Sequence, residues 1–141
     1  MKKTTKLFVV ITVMLLIVAA FASCGNVDDP TIWDNATYKE DTTLGEGEKT
    51  LVVELKVLEN LVTFTINTNA DTVGAALLEQ NLIAGDVGAY GLYVKTVNGI
   101  TVDYDVDQRY WAFYIDGEYA MTGVDLMEME EGRIYRIEYA K

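Results

Sequence analysis

The chain has 141 residues, with 11 Lys and Arg against 22 Asp and Glu, no histidine and one cysteine. Such acidity argues against nucleic acid as a partner, because phosphate binding needs a basic face. The missing histidine removes His-based triads and His metal sites, and a lone cysteine cannot form an intrachain disulfide.

The first 24 residues read as export machinery. Lys2, Lys3 and Lys6 make a basic start, and Leu7 to Ala22 is almost wholly apolar. Sixteen helical residues span about 24 Å, short of a ~30 Å hydrocarbon core. Small residues precede Cys24 in Phe21-Ala22-Ser23-Cys24. The pattern is that of a bacterial lipoprotein signal, residues 1–23, cleaved before Cys24, whose thiol then carries lipid. A transmembrane anchor with an incidental cysteine is the alternative. Cleavage would leave 8 basic against 22 acidic residues, a formal charge of −14. The expected location is the extracytoplasmic face of a bacterial cell membrane, with the lipid as anchor. Ser23 is the only serine and leaves with the signal. Without His or Ser the mature chain is read as a non-enzyme, with no catalytic residue, no metal site and no required cofactor.

Residues 24–49 are polar and carry the only proline, Pro30. They are expected to form a mostly disordered tether, with Trp33 and Tyr38 able to dock on the domain. Thr50 to Lys141 is expected to be one domain with a modest core. Leu51, Val53, Leu55 and Val57 alternate with Val52, Glu54 and Lys56, and Val62, Phe64 and Ile66 alternate with Thr63, Thr65 and Asn67. Two strands joined as a hairpin follow from that period of two. Val73, Ala76, Leu77 and Ile83 make the apolar face of a helix over 72–84, capped by Asp71 or Thr72 and stopped by Gly85. Gly88 and Gly91 bracket Tyr90 in a loop. Leu92 to Val97 is a strand, turned by Asn98-Gly99, and Thr101 to Asp105 returns as a short one.

Tyr110 to Ile115 is the most distinctive strand. Trp111, Phe113 and Ile115 share one face; Tyr110, Ala112 and Tyr114 share the other. Asp116-Gly117 then marks a two-residue hairpin turn. Arg133 to Tyr139 closes the sheet. The order β-β-α-β-β-β-β predicts an α+β fold, a β-grasp-like mixed sheet on one packed helix. An immunoglobulin-like sandwich is disfavoured by the helix.

Asp103, Asp105 and Asp107 have the spacing of half a calcium loop. Gln108 and Tyr114 stand where the turn glycine and the bidentate Glu belong. A solvated acidic strand edge fits better. Tyr119 and the small, weakly polar loop after it leave room for a planar ligand to approach.

Tyr93-Val94-Lys95-Thr96-Val97-Asn98-Gly99, then Tyr110-Trp111-Ala112-Phe113, Met121-Thr122-Gly123-Val124-Asp125 and Glu131-Gly132-Arg133-Ile134-Tyr135-Arg136-Ile137 agree in order and spacing with one family. Thr50 to Lys141 resembles the C-terminal β-domain of transcobalamin and intrinsic factor. It is similar above all to the bacterial DUF4430 lipoproteins. The resemblance implies a β-grasp-like fold that covers one side of cobalamin or another corrinoid, the other side being covered in the vitamin carriers by an α/α-barrel domain. It implies ligand contacts at Thr96 and Val97, at Trp111, and at Met121 and Thr122; Tyr119 joins them from the aromatic pattern. A transporter or another surface protein is the expected partner. A cell-surface interaction module with no small ligand is the alternative.

Overall fold

Why does so acidic a chain fold? The answer lies in its strands, seen in a computed structural model that describes residues 28–141. The expected signal peptide, its cleavage point and Cys24 lie outside those residues. A 3-10 turn, Ile32–Asn35, comes first. The strands are β1 Thr42–Leu44, β2 Lys49–Val57, β3 Asn60–Thr68, β4 Ile83–Gly88, β5 Gly91–Val97, β6 Ile100–Thr101, β7 Tyr110–Ile115, β8 Glu118–Tyr119 and β9 Ile134–Ala140. The helices are α1 Val73–Glu79 and a single turn, α2 Tyr104–Asp107.

Six strands form a mixed sheet in the order β1-β3-β2-β9-β7-β8, and β4-β5-β6 form a second, antiparallel sheet. The β2–β3 hairpin and the parallel β2–β9 pair are its centre. This is the expected α+β fold, a mixed sheet with one main helix, although the strands divide between two sheets rather than one. Strict alternation on β2 puts Leu51, Val53, Leu55 and Val57 at no more than 1% exposure. Phe64 and Ile66 of β3, and Tyr135 and Ile137 of β9, continue the same core. Each such side chain contributes about 1.5–3 kcal/mol as an upper bound.

Helix α1 starts at Thr72, whose hydroxyl accepts from the Ala75 N–H at 3.2 Å. It buries Val73, Gly74, Ala76 and Leu77. It stops five residues before the expected end at Ile83 and Ala84. Asn81 takes a left-handed φ of 54°, a conformation Asn tolerates through local hydrogen bonding. The chain then leaves as β4, so Gly85 is not a helix stop. It sits at an irregularity in the β4–β5 ladder, where a Cβ would lie 1.9 Å from the Tyr93 carbonyl oxygen. Gly85→Ala should therefore force the strands apart and cost about 2 kcal/mol or more. Urea denaturation of both proteins measures it; an unchanged midpoint would contradict the close approach.

The packed unit also begins well before Thr50. β1 pairs in parallel with β3, Thr42 opposite Phe64 and Leu44 opposite Ile66. Ile32, Trp33 and Tyr38 pack against the core, as allowed for Trp33 and Tyr38. Described residues of the expected tether are thus ordered from Asp28 onward. The pairing is long-range, with polar residues on a three-residue strand, so no local period betrays it.

The acidic run differs as well. Only Ile100–Thr101 is strand, and Asp103 caps α2 by accepting from the Asp105 N–H at 3.0 Å. Asp107 accepts from the Asp103 N–H at 3.0 Å. These carboxylates accept from N–H groups at the start of one helical turn rather than lining a strand edge.

Candidate functional site

The two sheets meet where β5 crosses β7. The Trp111 indole joins them, its Nε1–H donating to the Lys95 carbonyl at 3.0 Å. Its ring packs edge-on against Tyr139 at 5.9 Å, and only 5% of the residue is exposed. Beside this junction lies a groove of about 140 Å³ lined by Leu92, Tyr93, Val94, Tyr110, Trp111, Phe113, Gly123 and Val124.

One wall of the groove is built by α1 from a distance. The Val73 N–H donates to the Met127 carbonyl at 2.8 Å and the Gly74 N–H to Val124 at 2.9 Å. Gly74 permits that approach, since a Cβ there would lie 2.8 Å from the Val124 oxygen. The loop carrying Gly123 and Val124 is thereby clamped to the helix start. Asp125 ties it to the other sheet: one carboxylate oxygen accepts from the Leu92 N–H at 3.3 Å. Its second oxygen, Oδ1, is buried without a hydrogen-bond partner among the described residues. The carboxylate lies in a cradle that Cβ atoms at Gly91 or Gly123 would enter, at 2.4 and 2.9 Å.

The sequence-expected ligand residues are distributed around this junction. Trp111 forms the floor. Met121 is 91% exposed on the loop that runs into Gly123, with exposed Thr122 beside it. Thr96 lies next along β5 from the groove, its hydroxyl 2.7 Å from that of Thr101. Val97 is 2% exposed and belongs to the core. Tyr119 pairs edge-on with Tyr114 at 5.6 Å. Tyr114 stands on the opposite pleat from Trp111 and Phe113, and Tyr119, packed on it, is not among the residues that line the groove. Leu92, Val94 and Val124 were not among the expected contacts. Their only advance signal was an apolar strand face and a small-residue loop, which core positions share.

A second cavity, about 390 Å³, is lined by Asp29, Ile32, Asn35, Thr101, Val106, Asp107, Arg109 and Tyr139. Arg109 is 3% exposed. Its Nε donates to Asp28 at 2.9 Å, and its guanidinium lies 5.8 Å from the Tyr139 ring centroid. The Asp28 hydrogen bond raises the Arg109 pKa. Burial, above all, raises that of the Tyr139 phenol.

Fold and groove together define a small mixed-sheet domain with an apolar surface cleft between two sheets. Residues 63–139 match the family described as "Domain of unknown function (DUF4430)", and the chain belongs to that family. It is similar to a structure titled as a "putative metal binding protein from Ruminococcus gnavus ATCC 29149". The identity is 28% and the TM-score 0.62, over 67% of this chain and 98% of that one. It also shares the fold of haptocorrin in complex with Cbi, at 15% identity and a TM-score of 0.52 over 66% of this chain. The match spans a quarter of haptocorrin, 25% of its length. No curated protein matches. As to a metal, the partnerless Asp125 oxygen is a suitable hard donor. Among the described residues, however, no three His, Cys, Asp or Glu side chains converge to hold one.

Proposed function

We propose that the chain is a lipid-anchored, extracytoplasmic bacterial lipoprotein whose DUF4430 domain holds one face of a small planar ligand. The ligand class is cobalamin or another corrinoid, passed to an uptake transporter. The carrying observation is the apolar groove over Trp111, in a fold shared with a protein solved with Cbi bound. Size refines the reading. A cleft of about 140 Å³ is well below the ~300–1,000 Å³ of enclosing ligand pockets. It takes an edge or a substituent of a corrin-sized molecule, and a partner must cover the rest. Affinity of the isolated chain is then weak, with Kd above about 10 μM.

Equilibrium dialysis of the detergent-solubilised full chain against cobinamide and cobalamin tests this. Saturable retention near ~100 μM is expected. It should fall several-fold in Tyr93→Ala and Met121→Ala, whose exposed side chains carry little of the fold. No retention, with or without native membranes, would end the corrinoid reading.

A second reading rests on the exposed apolar residues near the same loop: Val87 at 84%, Tyr90 at 96%, Met121 at 91% and Leu126 at 67%. Exposed apolar residues grouped in this way mark protein-binding surfaces. A surface protein captured by the wild type and lost with Tyr90→Ala and Met121→Ala, in a chain that retains no corrinoid, would establish that reading instead.

A further inference from the structure

We propose that the first folded residues form a latch that sets the domain upright on its membrane. The Asp28–Arg109 end faces the bilayer and the Asp116–Gly117 hairpin points outward. This rests on the lipid anchor at Cys24 proposed above.

The latch is a succession of specific bonds. Asp28 takes two hydrogen bonds from the buried Arg109 guanidinium. The Thr37 N–H donates to the Asn98 carbonyl at 2.8 Å. The Asn98 side chain then brackets Tyr38, accepting from its N–H at 2.9 Å and donating to its carbonyl at 2.8 Å. Asn98 itself is 1% exposed. Past Tyr38 the chain pairs with β3. The Asp28–Arg109, Thr37–Asn98 and Tyr38–Asn98 bonds join residues 60 or more apart in sequence.

Chain length then limits the geometry. Cys24 and Asp28 are four residues apart, which an extended chain spans in about 14 Å at most. A disordered tether of ~25 residues would instead wander over about 27 Å. A folded unit of this size has a radius of gyration of about 13 Å. A link that short holds one end of the domain at the surface.

Which end is settled by β7. Arg109 precedes that strand and Asp116 follows it, so the two lie about 23 Å apart along it. Trp111 is two residues beyond Arg109, which places the groove in the membrane-proximal half, within reach of a membrane-embedded partner. The lower end carries Asp29 and Asp107 around the second cavity and Asp105 on α2. That charge repels anionic head groups within about 8–10 Å at physiological salt, so the domain stands off its link instead of lying down.

The test uses full-length protein acylated in a bacterial host and reconstituted in vesicles with an acceptor dye in the head groups. With Cys24 lipidated, Asp105→Cys or Glu118→Cys supplies the one free thiol for a donor dye. Energy transfer should be several-fold stronger from position 105 than from position 118. Inserting a twelve-residue Gly/Ser segment after Asn26 leaves every packed residue untouched and should abolish that difference. Equal transfer from both positions in the acylated chain overturns the latch alone. A difference that survives the insertion also overturns it, because surface contact and not the short link would then orient the domain. An intact mass without acylation overturns the anchor reading, and this inference with it.

Discussion

Trp111→Ala is expected to cost about 3–5 kcal/mol of folding free energy. Three contributions combine in that figure. The indole is 5% exposed and packs edge-on against Tyr139. Its N–H satisfies the Lys95 carbonyl, which the substitution leaves without that donor. It also joins the two sheets, so the cavity cannot close without shifting one against the other. In a domain of this size the melting temperature should fall by about 12 °C or more. Circular dichroism is the suitable probe, because Trp33 complicates fluorescence. Trp111→Phe separates the parts: most of the packing survives, the bond to Lys95 does not, and the loss should be about 1–2 kcal/mol. A change below ~1 kcal/mol in Trp111→Ala would mean that the ring is a ligand contact and not core.

Asn98→Ala should cost about 3 kcal/mol. The side chain is buried and bonds both backbone groups of Tyr38, so its removal leaves an N–H and a carbonyl short of partners. Asn98 also holds a φ of 51°, which Ala adopts less readily than Asn. The consequence is local as well as global. Residues 28–44 should lose hydrogen-exchange protection before the β2–β3 hairpin does, since Asn98 connects them to the β5–β6 turn. Uniform loss of protection would show that the N-terminal segment and the sheet unfold as one unit. Asn98→Asp keeps acceptance from the Tyr38 N–H but sets a buried carboxylate oxygen against the Tyr38 carbonyl, and should cost at least as much as Asn98→Ala.

Both expectations concern positions whose role changed between sequence and structure. Asn98 reads as the first half of an Asn-Gly turn, and it is one: Asn98 and Gly99 have φ of 51° and 83°. Its side chain has a second use that no spacing reveals, because its partner lies 60 residues away. Val97 stands in the strand-end run that implied ligand contact, yet it is buried at 2%. Tyr119 belongs to the same aromatic hairpin as Trp111, yet it packs on Tyr114 and does not line the groove. Met121 and Thr122 remain beside the groove because their loop is held by α1 through Val124 and Met127. The walls supplied by Leu92, Val94 and Val124 exist only because two sheets meet there.

By itself the sequence determined the hydrophobic period of two in β2 and β3, the aromatic strand β7, and the Asp116-Gly117 and Asn98-Gly99 turns. It also determined the presence of a helix capped at Asp71 or Thr72, of which the structure uses Thr72. Each is encoded within a few residues, by which face is apolar and which residue accepts a positive φ. The tertiary structure alone decided that β4 leaves the helix at Asn81 and that residues 28–44 are stitched to the domain. It also decided that the strands divide into two sheets meeting over Trp111. Those features depend on pairings across long stretches of chain, where local period is silent and the partner's edge, carbonyl or carboxylate determines the outcome.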